Sequence, residues 1–252
     1  MLELISDFIK EFSVFLTTEQ GLKNATVWLA CMWVKTIVLR AHYNGLIPRN
    51  PFAQFRITPN VKEREYLTEG EIRQLIEHEF TDATLAFTRD LFVFACFTAL
   101  SFADIRELTT DDIMDVNGEK WIISKRHKTG VPFQVKLLDI PLQIIGKYRP
   151  FQKDNSVFGE INYWSICKKL KNVIRECNIN KQISFHVARH TFGTLALSKG
   201  MPIESVSRVL GHTNIKTTQI YAKITTQKLG NDLTAFGNQL NRTFGNIKVA
   251  GV

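Results

Sequence analysis

Five side chains that can bind or transfer a phosphoryl group lie within one short stretch near the C-terminal end of the sequence: His186, Arg189, His190, His212 and Tyr221. A guanidinium can neutralise two oxygens of one phosphate, an imidazole can donate a hydrogen bond or move a proton, and a phenol can attack phosphorus. Taken singly, each residue type is more often a packed or surface side chain. Their combination predicts phosphoryl transfer to a protein side chain.

The spacing of these residues indicates how they would be presented. His186 and Arg189 are three residues apart, so that a helix would project them from one face. His190 directly follows Arg189 and would point away from it, which predicts a packing or supporting role. His212 follows a glycine at a predicted helix end, and Tyr221 follows in the next segment.

The sequence lacks the signatures of metal-dependent or nucleotide-dependent chemistry. It has four cysteines, far apart and without the paired spacing of a zinc site. No carboxylate cluster and no glycine-rich phosphate loop is present in the sequence. We therefore expect no metal and no small-molecule cofactor, and we expect the cysteines to be reduced.

Composition favours a polyanionic partner. The chain has 252 residues, 44% of them hydrophobic, and a formal net charge of +8 with a pI of about 9.3. This charge is typical of nucleic-acid binding, although on charge alone a mere effect on solubility is equally compatible. The N-terminal segment carries charges that fit neither a signal peptide nor a membrane span, so we expect a cytoplasmic protein without a membrane partner.

Hydrophobic patterning predicts two domains. Leu2–Leu16 and Ala25–Tyr43 show helical spacing, and a proline-rich stretch then forbids a continuous helix. We predict a short helical domain over residues 1–60 and a second domain over residues 61–252.

The second domain changes pattern twice along the chain. Thr68 and Glu71 form a capping box that opens its first helix. Between Ile113 and Leu138, short runs rich in β-branched and aromatic residues are separated by glycine-containing turns, which predicts a small antiparallel sheet. Helical patterns return afterwards. The predicted fold class is mainly α (α+β): a helical domain with a small antiparallel β-sheet, preceded by a short helical domain.

Two motifs resemble those of the tyrosine recombinase family, which includes phage and conjugative-transposon integrases. HVARH, which begins at His186, resembles the second catalytic box, and LGHTNIKTTQIY, which ends at Tyr221, resembles the Leu-Gly-His box with its nucleophilic tyrosine. Their order and separation also match. The resemblance implies that residues 1–60 are part of a helical, SAM-like core-binding domain and that residues 61–252 are the catalytic domain.

The resemblance implies a role for each of these residues. Tyr221 would be the nucleophile, and Arg189 would neutralise the nonbridging oxygens of the scissile phosphate. His186 and His212 would donate hydrogen bonds to the same phosphate, and His186 could also accept the tyrosine proton. Lys128, in the turn of the predicted hairpin, would be the general acid for the leaving 5′-oxygen.

The assignment of that lysine has an alternative. Lys125 lies three residues before Lys128 in the stretch SKRHKTG. Either lysine could instead be a solvated hairpin cation, which is the usual state of a lysine in a turn.

The first catalytic box departs from the family pattern. Where members of the family read Thr-Gly-Leu-Arg, this sequence reads Thr-Ala-Leu-Ser, so that Ser101 aligns with the arginine and Asp104 with the acid that follows it. Asp104 would support the site through hydrogen bonds. Arg89 and Arg106 are the candidate replacements for the missing cation, and each could equally be structural.

The resemblance implies a site-specific DNA recombinase that works through a 3′-phosphotyrosyl intermediate, without metal or ATP, and that integrates or excises a mobile element. Double-stranded DNA would be the partner, and the protein would self-associate into a tetramer on it. Two alternatives stay open. One is a catalytically silent DNA-binding module of the same fold, and the other is a type IB topoisomerase-like enzyme that relaxes DNA.

Overall fold

The computed structural model describes four stretches of the chain: residues 7–58, 65–152, 154–221 and 226–245. The chain divides into two compact units, Met1–Glu63 and Arg64–Val252. The predicted boundary between residues 60 and 61 lies outside the described residues and stays a prediction. Across the described stretches, none of the helices combines the length and the apolar character that crossing a membrane needs.

The first unit is a pair of packed helices, α1 (Phe8–Thr18) and α2 (Asn24–Tyr43). Both predicted helices are therefore present, with α1 ending at Thr18 rather than at Leu16. Their apolar faces enclose a small core with the following stretch of chain, formed by Ile9, Leu16, Val27, Cys31, Val38 and Phe52.

The second unit contains the remaining helices and the sheet. Its longer helices are α3 (Glu69–Glu77), α4 (Ala83–Thr98), α6 (Asp139–Tyr148), α7 (Tyr163–Glu176), α8 (Val187–Ser198), α9 (Ile203–Leu210) and α11 (Thr226–Phe244). Its short helices are α5 (Phe102–Arg106) and α10 (Lys216–Gln219), with single 3-10 turns at Thr110–Asp112 and Arg149–Phe151.

The centre of this unit is α4, whose second half is buried on all sides. It packs against α3, α6, α7 and α8, and the consecutive residues 91–96 are all buried. A helical segment that is apolar all round is stable only inside a protein, and residues 91–96 form such a segment. The predicted capping box of α3 is confirmed, since Thr68 Oγ1 accepts from the Glu71 amide and Glu71 accepts from the Thr68 amide.

The predicted sheet is confirmed as three antiparallel strands in chain order: β1 (Ile113–Val116), β2 (Glu119–Lys125) and β3 (Pro132–Lys136). The turn between β1 and β2 consists of Asn117 and Gly118, with φ values of 55° and 81°. A two-residue hairpin of this kind needs positive φ at both positions, and Asn-Gly is the pair that tolerates it best. The mainly α fold class with a small antiparallel sheet is therefore confirmed.

Candidate active site

Arg189 lies in the first turn of α8 and reaches the C-terminal end of α9. Its Nη1 donates to the carbonyl oxygen of Ala99 at 2.9 Å, and its Nη2 donates to the carbonyl oxygen of Leu210. Burial and, after it, the neighbouring charge of Arg126 together lower the pKa of the Arg189 guanidinium to about 10. The group is still fully charged at neutral pH.

Tyr221 follows α10, and its side chain is buried against α8, with 9% of its surface exposed. The ring lies directly over Gly193, where a Cβ atom would come within 2.8 Å of the ring carbon Cδ2. Real Cβ atoms do not approach so closely, and only glycine at 193 therefore allows this ring position. The phenol and Arg189 are close enough to interact electrostatically.

The Tyr221 hydroxyl lies 2.7 Å from Nδ1 of His190. His190 is buried, as its predicted packing role requires, but it also contacts the predicted nucleophile. His186, the exposed residue just before α8, presents its ring edge-on to His190, with ring centroids 4.6 Å apart. Three rings thus run in series from the surface to the phenol.

His212 is positioned by a threonine that sequence reasoning did not select. Nδ1 of His212 lies 2.9 Å from Oγ1 of Thr218, which is fully buried in α10. When the Thr218 hydroxyl donates to Nδ1, the ring proton is on Nε2, and that nitrogen can donate to a phosphate oxygen. The sequence offers only a weak signal for Thr218, a threonine in the short segment between His212 and Tyr221.

Ser101 is the N-cap of α5 and supplies no charge. Its Oγ accepts from the Asp104 amide at 3.3 Å and donates to Asp104 Oδ2 at 2.9 Å, while its own amide donates to the same oxygen at 3.0 Å. This is a complete capping box. The serine therefore serves the start of the helix, and any second cation must come from another element.

Asp104 is a buried carboxylate that accepts hydrogen bonds from two elements. In addition to Ser101, it accepts from the His127 amide at 3.0 Å and from Arg126 Nη1 at 2.6 Å. Burial would raise the pKa of Asp104, but the His127 amide, the Arg126 charge and the Ser101 amide together outweigh it and hold the pKa below its ordinary value. The carboxylate is thus ionised and ties α5 to the β2–β3 hairpin.

Arg126 is the residue that sequence reasoning missed. Only 6% of its surface is exposed, its Nη2 donates to the carbonyl oxygen of Val209 at 2.5 Å, and its guanidinium lies 4.0 Å from the ring centroid of Phe133. A signal was available, because alternate residues of a strand share a face. Ile122 is buried and Ser124 is half-buried on β2, and the same face continues to Arg126.

Arg89 is corrected from a candidate clamp cation to a structural residue. Its Nη1 donates to the carbonyl oxygens of Leu75, Ile76 and His78 at the end of α3, at 2.6 to 2.9 Å, and its Nε donates to Asp90 at 2.5 Å. These contacts, made by Nη1 and Nε, hold Arg89 at the end of α3, and none of its partners is another predicted residue of the site.

Arg106 is corrected for a different reason. It is the last residue of α5, about half of its side chain is exposed, and it forms an ion pair with Glu107 at 3.1 Å. The guanidinium thus lies on the surface. Neither of the two arginines considered from the sequence takes the place left by Ser101.

The two hairpin lysines remain undecided. Lys125 ends β2 and Lys128 lies in the following turn, and both are exposed. Within the described stretches, the side chain of neither lysine has a hydrogen bond or an ion pair. Their roles stay predictions. The described residues also contain no group of three or more His, Cys, Asp or Glu side chains placed to hold a metal ion.

The chain is similar in sequence to proteins of one family. A family model described as the phage integrase family matches residues 65–228. A tyrosine recombinase of Thermosipho africanus is 23% identical over 231 residues, which cover 89% of this chain and 80% of that protein. The tyrosine recombinase XerA of Saccharolobus solfataricus is 30% identical over 139 residues, covering 54% of this chain and 47% of that protein.

Solved structures share the fold. The Tn1549 transposon integrase in complex with circular intermediate DNA matches with a TM-score of 0.76 at 18% identity, covering 92% of this chain and 85% of that chain. A lambda integrase dimer bound to a COC′ core site matches with a TM-score of 0.68 at 16% identity, covering 87% and 80%. At these identities the likeness establishes the fold alone.

Proposed function

This chain belongs to the phage integrase family, a family of tyrosine recombinases, and we propose that it is a site-specific DNA recombinase that integrates or excises a mobile element. It breaks and rejoins double-stranded DNA through a 3′-phosphotyrosyl intermediate on Tyr221. The residue roles below rest on the family resemblance and on the geometry of the second unit.

One observation carries the proposal. The predicted cation, one predicted imidazole and the predicted nucleophile converge at the C-terminal end of α9, although three different segments supply them. Arg189 donates to Leu210, His212 follows two residues later, and Tyr221 packs against Leu210 in the same buried cluster. A set of unrelated surface residues would not be drawn to one helix end.

The chemistry is a transesterification. The Tyr221 oxygen attacks the scissile phosphorus, its proton passes to His186, and the bond from phosphorus to the 5′-oxygen breaks as Lys128 gives that oxygen a proton. Arg189 neutralises the nonbridging oxygens while charge builds on them, and His212 donates to one of them from Nε2. A 5′-hydroxyl from another strand then reverses these steps. The phosphotyrosyl ester conserves the bond energy, and no ATP is needed.

The structure represents a resting arrangement of this site. Two carbonyl oxygens occupy Arg189, and the Tyr221 hydroxyl is held by His190. In the proposed reaction, the Tyr221 hydroxyl leaves His190 to attack phosphorus, and Arg189 turns its N–H donors from the two carbonyl oxygens to the phosphate. We therefore expect DNA binding to move the segment from Gly211 to Tyr221 relative to α8.

Self-association on DNA is the second part of the proposal. Helix α11 exposes four apolar side chains spaced so that they share one helical face, namely Leu229, Leu233, Phe236 and Leu240. An exposed apolar stripe of this kind is typical of a protein–protein contact. We expect α11 to dock on a second copy when the tetramer forms on DNA.

The test is covalent trapping. The protein is incubated with a pool of nicked duplexes of randomised sequence around the nick, in which cleavage releases a short fragment and prevents religation. We expect a protein–DNA adduct that survives denaturation and that Tyr221→Phe abolishes.

Ser101 favours one competing function, a DNA-binding module without catalysis, because the residue leaves the family's first arginine position uncharged. Tight duplex binding without any adduct from the wild-type protein would establish that alternative and overturn the proposed chemistry. An adduct that persists in Tyr221→Phe would show that another residue is the nucleophile.

A further inference from the structure

Arg126 is a buried cation, and not all of its N–H donors have a hydrogen-bond partner within the described residues. The side chain is at the inner face of the hairpin, and its guanidinium faces one carboxylate, Asp104, at 2.6 Å. Within the described residues, the buried Nε atom has no hydrogen-bond partner, and it is the only buried side-chain nitrogen or oxygen there of which this is true. A buried donor without a partner loses its hydrogen bonds to water and gains none in return, so its retention calls for an explanation.

Arg126 and Arg189 converge on the same helix end. Arg126 donates to the carbonyl oxygen of Val209 and Arg189 to that of the next residue, Leu210, which are the last two residues of α9. The partial negative charge of a helix C-terminus attracts cations, and it holds the two guanidiniums side by side. They come from different elements, the β2–β3 hairpin and α8.

The backbone beside these arginines is adapted to Arg126. Gly211, with a φ of 63°, ends α9, and a Cβ atom there would lie 3.0 Å from Arg126 Nε. The glycine thus provides both the left-handed turn and the space for the guanidinium. His212 follows directly, so the turn also connects Arg126 to an imidazole of the site.

This cluster brings two neighbouring guanidiniums together with one carboxylate, Asp104, which accepts a hydrogen bond from Arg126. The Asp104 carboxylate also accepts from two backbone amides and one hydroxyl, and it therefore holds the hairpin cation in place without neutralising both charges. Like charges at close range repel, and burial strengthens that repulsion. A bound anion with several oxygens would relieve it, as a phosphate diester does.

We propose that Arg126 is the second guanidinium of the phosphate clamp and does the work of the arginine that is missing at Ser101. This inference rests on the proposed recombinase function. On DNA, the scissile phosphate displaces the carbonyl contacts of Val209 and Leu210, and its two nonbridging oxygens are shared between Arg126 and Arg189. Asp104 orients Arg126 throughout.

The competing explanation is purely structural: Arg126 would only tie the hairpin to α5 and α9. The two explanations differ in how they depend on the charge of the substrate. A methylphosphonate at the scissile position replaces one charged nonbridging oxygen by a methyl group. A cation that neutralises that oxygen becomes dispensable, whereas a structural tie is needed equally for both substrates.

The experiment compares Arg126→Ala with wild type on a duplex selected by the trapping assay, carrying either an ordinary phosphate or a methylphosphonate at the scissile position. On the phosphate, we expect the adduct rate of Arg126→Ala to fall about 10²–10³-fold, the effect of removing one donor to a developing oxyanion. On each methylphosphonate diastereomer, we compare the adduct rate of Arg126→Ala with that of wild type. For at least one diastereomer, the two rates should agree within about tenfold, because the charged oxygen that Arg126 would neutralise has been replaced by a methyl group.

Arg106→Ala is the matched control, since it removes an exposed arginine from the adjacent helix, and its adduct rate should equal that of wild type on both substrates. Arg126→Lys, which keeps the charge and is better tolerated in the fold, covers the possibility that Arg126→Ala does not fold. It should lose rate on the phosphate and recover on the methylphosphonate in the same way.

An equal loss on phosphate and methylphosphonate would overturn the inference and leave Arg126 as a structural residue. Unchanged rates for both variants on the phosphate would overturn it too. These outcomes differ from failure of the proposed function itself, which would appear as the absence of any Tyr221-dependent adduct from the wild-type protein.

Discussion

Arginines donate to carbonyl oxygens at two helix C-termini of this protein. The two places differ in whether every buried N–H donor of these arginines has a hydrogen-bond partner. At the end of α3, Arg89 donates to three carbonyl oxygens and to Asp90. At the end of α9, Arg126 and Arg189 donate to neighbouring carbonyl oxygens, and of the two only Arg126 also donates to Asp104. Within the described residues, the buried Nε of Arg126 has no hydrogen-bond partner.

The difference separates structural from functional cations. The Asp90 carboxylate also binds Lys147, whose ammonium is half-exposed and remains solvated, and so the α3 cluster is complete as it stands. The α9 cluster brings two positive charges, the buried Arg126 and the partly exposed Arg189, together with one carboxylate, Asp104. A buried donor without a partner, such as Nε of Arg126, points to a ligand, whereas the α3 cluster contains no such atom within the described residues.

The largest expected effect is on the α9 cluster. Arg189→Ala should reduce the rate of covalent adduct formation by about 10³-fold, because the guanidinium acts on charge that builds in the transition state. Duplex binding should remain within about tenfold of wild type, since many backbone cations share the binding free energy. A gel-shift titration and the trapping assay measure the two quantities. Loss of binding in parallel with cleavage would contradict the assignment.

The α3 cluster should give the opposite pattern. Arg89→Ala removes one of the two cations that bind Asp90 and the donor to three carbonyl oxygens at the end of α3. The loss should lower the free energy of unfolding by about 3–5 kcal/mol. The adduct rate per folded molecule should not change. Urea titration measures the first quantity and single-turnover trapping the second. Arg175→Ala, an exposed arginine of α7, is the control and should stay within about 0.5 kcal/mol of wild type.

Asp104→Asn tests the contribution of the carboxylate that binds Arg126. The pKa of Asp104 is held below its ordinary value in the folded protein, and the ionised group therefore stabilises the fold above about pH 4 and loses that contribution as pH falls through the folded pKa. At neutral pH the substitution should lower the free energy of unfolding by about 1.5–3 kcal/mol. The difference in free energy of unfolding between wild type and Asp104→Asn should become smaller in acid. A gap that is constant from pH 7 to pH 3 would show that the charge of Asp104 does not matter.

The smallest expected effect concerns the residue whose carbonyl oxygen binds Arg189. Ala99 has a φ of 57°, a left-handed conformation that is unfavourable for any residue with a Cβ atom. Ala99→Gly should therefore raise the free energy of unfolding by about 1 kcal/mol. Ala86→Gly inside α4 is the matched control and should lower it by about 1 kcal/mol. Equal losses in the two variants would mean that Ala99 is not strained.

Much of the fold could be predicted from local patterns. The capping box at Thr68, the Asn117–Gly118 turn and the alternation in β2 are short-range signals, and each fixes one element boundary or one strand pair. The ends of elements were less predictable, as in α1, because fraying and tertiary packing decide them.

The site was predictable only in part. The motif around His186 and Arg189 identified residues of one helix turn, but the contacts of His190 and Thr218 depend on how α8 and α10 meet, which no local pattern encodes. Arg126 was missed because basic residues near a hairpin turn are usually solvated, and the three cations of that turn look alike in sequence. The alternation of β2 was the one feature that distinguished it.

The glycine under the phenol ring has a wider consequence. Hydrogen is the only side chain at residue 193 that leaves room for the Tyr221 ring, and residue 193 therefore sets how deeply the proposed nucleophile is buried. Even one added methyl group would overlap the ring, so that the ring or the helix would have to shift. In the proposed reaction, a substitution at residue 193 would therefore change the rate of DNA cleavage by changing the position of Tyr221. Evolution or protein engineering could adjust that rate at a residue that does not contact DNA.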